Sequence, residues 1–322
     1  MKRILVTGGA GYIGSHIVLE LLSKNYEVVV IDDLSTGSKK NIPKDVFFIN
    51  ASILDRDKLK FAFSQKIDVI IHLAALKSSV DSMKHPNIYS ELNINGSIMI
   101  LNQMLDSKIN NIIFSSTAAI YGKPKYLPID ENHPKNPINF YGFSKLSIES
   151  YLKWYSKLKN INYVSLRYFN AAGYDSDSRI LGLEQNPANL LPIIMECLIY
   201  KKYLYIYGND YPTNDGTCIR DYIHVTDLAA AHLNSINYLK SKSSSLEVNL
   251  ATGKGYSVKE VVDKTNFITN NKIKYKFVDR RDGDPPELIA SSILANKILE
   301  WTPKHSSIEN IISTMWKAYN VR

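Results

Sequence analysis

A short apolar run, Arg3 to Val6, breaks into TGGAGYIG at residues 7–14, and Ile17, Val18, Leu21 and Leu22 follow at helical spacing. Few junctions restrict a fold so severely. Glycines at 8, 11 and 14 permit a tight turn out of a strand, close approach of a ligand to bare backbone, and tight seating of helix on strand. The helix then opens with unpaired N–H groups and the positive end of its dipole, which suits a pyrophosphate. A second β-branched run, Glu27 to Ile31, ends at Asp32. A carboxylate there hydrogen-bonds ribose hydroxyls and repels a 2′-phosphate. The unit predicts a dinucleotide-binding domain that takes NAD in preference to NADP.

The alternation continues. Strand-like runs recur at Val46 to Ile49, Val69 to Leu73, Ile112 to Ser115 and Tyr163 to Tyr168, with helix-like segments between them, including Pro86 to Leu105 and Phe143 to Leu158. Near-continuous apolar strands between helices predict a parallel sheet covered on both faces, with ligands at the strands' carboxyl ends. After about Asn170 the chain is richer in Tyr, Asn, Pro and loops, with shorter elements at Tyr203 to Tyr207, Thr226 to Leu239, Val248 to Leu250 and after Ser257. The expected fold is a Rossmann-type doubly wound parallel α/β sheet with a smaller C-terminal α/β substrate lobe. Residues 1–170 form the nucleotide domain, with a return segment near 221–239, and residues 171–322 form the lobe.

Composition narrows the function. At 45% apolar and 22% charged residues the chain has the make-up of a soluble globular protein. No apolar stretch spans a bilayer and no secretory leader opens the sequence; the expectation is a cytoplasmic protein. The net charge of +8 comes from scattered lysines and short doublets, without the interleaved aromatics of a nucleic-acid surface. Cys197 and Cys218 form neither a disulfide framework nor a metal motif. His72, on a buried strand, and His224 and His232, eight apart in a helical region, are structural by the same reasoning; no metal is expected.

Tyr141 and Lys145, in YGFSK, lie one helical turn apart on one face. A free phenol titrates near 10, too high for a base at neutral pH; a neighbouring ammonium favours the phenolate. The preceding strand ends in FSSTAAIYG, so Ser115, Ser116 and Thr117 emerge where such sheets hold their sites, and a hydroxyl there can bond a substrate oxygen. Tyr203, Tyr205 and Tyr207 alternate as on a strand, which leaves half of them as candidates for core.

Together TGGAGYIG, Asp32, FSSTAAIYG, YGFSK, RYFNAAG, IYGNDYPTNDGTCIRDYIHVTDLA and RRDGDPPELIAS resemble the UDP-glucose 4-epimerases of the extended short-chain dehydrogenase/reductase family, over nearly the whole chain. The resemblance implies Tyr141 as base, Lys145 as its partner and ribose ligand, and Thr117 as substrate partner. It implies a cofactor site of Gly8, Gly11, Tyr12, Ile13, Gly14, Asp32, Ser52, Ile53, Ala74, Ala75 and Lys77, with Phe169 near the nicotinamide. For the UDP moiety it implies Asn170, Asn189, Leu190, Tyr205, Tyr207, Arg220, Arg281 and Asp284. A guanidinium fork independently suits a diphosphate. Three positions depart from the family pattern: Ser52 stands where Asp is frequent, Leu92 where Asn is, and Phe140 where Pro is.

The implied reaction inverts the fourth carbon of a UDP-hexose through a 4-keto sugar, with NAD regenerated each cycle and a homodimer as the usual assembly. Leu288 aligns where members restricted to plain hexoses carry Tyr, so the N-acetylated UDP-sugars are expected substrates as well. Rival chemistries are a sugar-nucleotide 4,6-dehydratase, a UDP-glucuronate epimerase and a non-catalytic NAD sensor. Ala118 and Ala119, where dehydratases carry Asp-Glu, argue against elimination.

Overall fold

The computed structural model describes residues 2–184, 187–281 and 283–320; Asp282, inside RRDGDPPELIAS, lies outside them. The first part of the chain runs β1 (Arg3–Thr7), α1 (Tyr12–Ser23), β2 (Glu27–Asp32), β3 (Phe47–Asn50), α2 (Arg56–Phe63), β4 (Val69–His72), α3 (Ser79–Lys84) and α4 (Pro86–Tyr89). A π-helical turn (Ser90–Asn95) leads into α5 (Gly96–Asp106), followed by β5 (Asn111–Thr117), α6 (Phe140–Lys159) and β6 (Asn162–Tyr168). Then come β7 (Asn170–Ala172), α7 (Leu190–Ile199), β8 (Leu204–Tyr207), β9 (Ile219–His224), α8 (Val225–Lys242) and β10 (Leu246–Leu250). The chain closes with β11 (Gly255–Ser257), α9 (Val258–Thr269), β12 (Tyr275–Val278), β13 (Glu287–Leu288), α10 (Ile293–Leu299) and α11 (Ile308–Asn320).

Seven strands form one sheet in the order β10-β6-β5-β4-β1-β2-β3, every neighbouring pair parallel. The two-residue period of a strand explains why the runs are apolar throughout. Ile4, Val6 and Val30 pack on one face against α1 and α8, while Leu5, Val29 and Ile31 pack on the other against α2, α5 and α6. Strand order reverses at β1, between β2 and β4, so a crevice opens at the carboxyl ends there.

The chain leaves this sheet after β6 and returns with α8, which lies on α1, and β10, which pairs with β6. The remaining elements build a smaller layer. β9 pairs with β7, β11 and β13, β8 pairs with β12, and α7, α9 and α11 close a separate apolar cluster around Leu191, Ile194, Val261 and Ile311.

Three local expectations change. The helix expected over 86–105 is two α-helices joined by the π-helical turn. α6 starts at Phe140 because the Asn139 side chain caps it, accepting from Gly142 N–H (2.8 Å), which brings Tyr141 into its first turn. His224 ends β9, and its ring caps α8 by accepting from Thr226 N–H (3.1 Å); it is not within a helix.

Candidate active site

The crevice is built on the glycine loop. Gly8 has φ +74°, and a Cβ there would lie 2.7 Å from Ala74 N; at Gly14 a Cβ would lie 2.1 Å from Gly8 O. Neither site tolerates a side chain, and the bare loop leaves a cradle for a phosphate group. Gly11 caps α1 without a side-chain bond, and the first turn holds no acidic residue, so the helix's N–H groups and dipole face the crevice uncancelled. Ile13 anchors the loop in the core below.

Asp32 ends β2 with one carboxylate oxygen accepting from Ala10 N–H (2.9 Å) and the other from Leu34 N–H (2.8 Å). Burial pushes its pKa up, against those bonds. Gly8, Asp32, Ser52, Ile53, Ala74 and Ala75 line one cleft. Leu92 lines it as well, and Ser52 accepts from Leu54 N–H (3.2 Å), so two of the three departures from the family pattern lie on this space. Lys77 stands past the cleft, paired with Glu184. The glycine cradle, the uncapped helix and Asp32 together fit a dinucleotide.

A buried polar chain underlies the loop. Thr7 Oγ1 meets His72 Nδ1 (2.8 Å), His72 Nε2 meets Ser97 Oγ (2.8 Å), and Ser97 donates to Asn93 O (2.5 Å). Burial lowers His72 to about 3, so the ring is neutral. Asn93 sits in the π-helical turn. Its amide accepts from Leu76 N–H (2.9 Å), donates to Leu76 O (3.0 Å), and also donates to Ser144 on α6 (3.2 Å). It thereby ties the loop after β4 to the helix carrying Tyr141. The sequence reading passed over Asn93; its one signal is an Asn where the helix pattern places a buried position.

At the end of β5 three hydroxyls divide their work. Ser116 donates to Glu149 (2.6 Å), which is held with Arg167 beneath the site. Ser115 takes the Lys145 ammonium through its carbonyl (2.8 Å) and hydroxyl (3.3 Å). Thr117 stands beside the Tyr141 phenol, close enough for its hydroxyl to favour the phenolate. Burial lowers Lys145 to about 7, and burial lifts Tyr141 to about 12, with the Thr117 hydroxyl pulling it back. The expected lowering of the phenol by Lys145 is therefore not delivered by this geometry alone, because Lys145 is turned onto Ser115 and over the Phe114 ring. Tyr141 and Thr117 stand side by side, and Lys145, one helical turn beyond Tyr141, is bonded to the same strand at Ser115.

Phe169 is buried against Ile120, Tyr121, Ala251 and Ala290, with Leu288 packed on the same cluster. Asn170 donates its amide to Asp221 O (2.9 Å). Arg220, on β9, donates to Asp284 Oδ1 (2.5 Å) and to Ile219 O (2.8 Å); Leu288 stands beside it in register on β13. Arg281 lies 3.9 Å over the Tyr207 ring. Tyr203, Tyr205 and Tyr207 are all exposed, and the core positions of β8 are Leu204 and Ile206, so the expected division of the tyrosines does not hold. Asn189 is exposed at the cap of α7 and makes no capping bond there; Leu190 begins that helix. Asp221 was missed by the sequence reading. It is fully buried and accepts from Thr252 N–H (2.8 Å), Thr252 Oγ1 (2.6 Å) and Gly253 N–H (2.9 Å), fastening the loop after β10 to the strand of Arg220.

Residues 4–251 match the model of the NAD dependent epimerase/dehydratase family. A UDP-glucose 4-epimerase of Halalkalibacterium halodurans is 44% identical over 316 residues, 97% of this chain and 94% of that protein. The crystal structure of UDP-glucose 4-epimerase from Bifidobacterium longum in complex with NAD+ and UDP superposes with a TM-score of 0.94 at 34% identity, covering 99% of this chain and 98% of that one. The UDP-Glc/GlcNAc 4-epimerase of Campylobacter jejuni superposes with a TM-score of 0.87 at 36% identity, covering all of both chains.

Proposed function

This chain belongs to the NAD dependent epimerase/dehydratase family, and from that premise we propose that it is an NAD-dependent enzyme that interconverts UDP-glucose and UDP-galactose through a 4-keto sugar. The observation that carries the reading is Thr117 beside Tyr141 at the end of β5, with Lys145 one helical turn on and bonded to the same strand, in a chain that also builds the glycine-loop cleft lined by Asp32.

Bound NAD supplies the hydride acceptor and donor. The chain's residues do the rest. Gly8, Gly11 and Gly14 with the start of α1 receive the pyrophosphate; Asp32 takes the adenosine ribose; Tyr12, Ile53, Ala74, Ala75 and Lys77 flank it. Tyr141 takes the proton from the sugar's 4-hydroxyl and returns it, with Thr117 bonding the same oxygen. Lys145, bonded to Ser115 and holding a ribose in this reading, is the group whose ammonium, when charged, favours the phenolate. Arg220 and Arg281 offer guanidinium forks to the diphosphate, with Tyr205, Tyr207, Asn170, Asn189, Leu190 and Asp284 around the nucleotide. Ala118–Ile120 is a short 3-10 turn with no acidic group beside Thr117, which favours epimerisation over dehydration.

The finer substrate range follows from Leu288. Leucine is shorter than tyrosine and lacks its hydroxyl, leaving room beside the second carbon for an N-acetyl group. We therefore assign both the plain and the N-acetylated UDP-hexoses to this site. A homodimer is supported by a stripe of exposed apolar side chains, Phe143, Trp154 and Leu158 on α6 with Val80, Met83 and Ile88 beside them on α3 and α4. Among the described residues no helix is long and apolar enough to cross a membrane.

The test compares kcat/KM for UDP-galactose and UDP-N-acetylgalactosamine in wild type and Leu288→Tyr. Wild type acts on both, and the variant keeps the first and loses the second. A wild type inactive on the N-acetylated sugar removes the wider range, and one inactive on both removes the function.

A further inference from the structure

Between β7 and α7 the chain passes back over the glycine loop. Tyr12, at the start of α1, donates its hydroxyl to Gly173 O (2.5 Å), and the His16 ring accepts from Asp175 N–H (3.0 Å). Arg179 donates to the Asp175 carboxylate (2.5 Å), stiffening the next turn. Gly182 N–H reaches Asn41 Oδ1 (2.5 Å), and Asn41, itself buried, donates to Ala10 O (3.2 Å) inside the glycine loop. Two residues later the Glu184 carboxylate pairs with the Lys77 ammonium. Residues 173–184 thus connect the loop after β2 with the loop after β4, across the N-terminus of α1. Those loops are the two flanks of the cleft.

The pair at the far end is unevenly buried. The Glu184 side chain is 8% exposed against 51% for Lys77, and among the described residues its second oxygen has no hydrogen-bond partner. Lys77 is therefore the group that compensates a nearly buried carboxylate, and separating the two leaves that charge uncompensated.

We propose that residues 173–184 are a strap that holds NAD in place through the catalytic cycle, latched near its far end by Gly182–Asn41 to one flank of the cleft and by Lys77–Glu184 to the other. The proposal rests on the cofactor reading given above. A redox-neutral epimerisation needs no exchange of cofactor, and loss of cofactor between its two half-reactions would strand the keto sugar. A closure that slows release without touching Tyr141 or Thr117 serves that chemistry.

The rate of NAD release from the NAD-loaded protein, followed by trapping free NAD with an NAD-consuming dehydrogenase, tests this. Glu184→Gln should release NAD roughly tenfold faster, as expected for one charge-assisted bond discounted for a half-exposed lysine. Gly182→Ala should also quicken release, because a Cβ there would lie 2.6 Å from both Asn41 Oδ1 and Ser38 Cβ and lift the strap from that anchor. Salt should quicken release from wild type and leave Glu184→Gln unaffected. Glu309→Gln, which breaks the exposed Lys264–Glu309 pair elsewhere, should release at the wild-type rate. Wild-type release from whichever of the two strap variants folds overturns the strap. A wild type that binds no NAD overturns the cofactor reading instead.

Discussion

Asp32 does two things with one carboxylate. It fastens the glycine loop through Ala10 N–H, and it sets a negative charge at the end of β2. A 2′-phosphate placed there meets that charge. For NAD-free protein reloaded with either cofactor, wild type should prefer NAD, and Asp32→Ala should narrow the preference by roughly a hundredfold, since a like-charge juxtaposition costs several kcal/mol. Both affinities should fall, because the loop loses its anchor. An unchanged preference would mean that the carboxylate is not what excludes NADP. Asp32 and the glycines are legible in the sequence because their roles follow from local backbone geometry. Asn93, Asp221 and Glu184 are not, because each acts through partners far along the chain: Leu76 and Ser144, Thr252 and Gly253, and Lys77. The tyrosines of β8 are misjudged for a related reason. Residues two apart share one face, so Tyr203, Tyr205 and Tyr207 are in or out together.

At the scale of elements, the strands of the large sheet are legible because burial on both faces demands unbroken apolar runs. Helix ends are less so. The start of α6 depends on a single Asn139 bond, and the π-helical turn follows a period that no amphipathic pattern announces. Several buried histidines sit where elements meet: His72 joins β4 to β1 and α5, His16 joins α1 to the strap, His224 joins β9 to α11, and His232 joins α8 to β6. Burial lowers them to about 3, 4, 3 and 4 in that order. The folded protein holds these rings neutral while the unfolded chain protonates them near the ordinary 6.5. Below that pH the unfolded state binds more protons, so stability present above 6.5 is lost as the pH falls toward 4. Asp221, lifted by burial to about 6, opposes the trend over part of that window but shifts less. Thermal melts of NAD-free protein should show Tm falling steadily from about pH 6.5 to about 4.5; a flat Tm over that range would contradict the neutral, buried rings.

At the scale of the whole molecule, the sheet order was within reach of the sequence, because alternating strands and helices allow few right-handed arrangements. The sequence places a return segment near 221–239, where α8 lies, but the return of β10 is harder to read, since nothing local separates a strand that rejoins one sheet from a strand that starts another. The strap depends on pairings across more than a hundred residues, and the lobe layer on strands that pair out of chain order, neither of which composition encodes. In the proposed reading the Tyr141 phenol handles the proton, Arg220 and Arg281 hold the diphosphate, and the glycine loop cradles the dinucleotide. The most direct measurement is conversion of UDP-galactose to UDP-glucose by NAD-loaded wild type and by Tyr141→Phe, with NAD content measured in both. Wild type should convert the sugar without added cofactor, and the variant should keep its NAD while turnover drops by roughly two to four orders of magnitude, the range for loss of a general base. An NAD-loaded wild type that leaves UDP-galactose unchanged, or a Tyr141→Phe protein that turns over at the wild-type rate, would contradict the account.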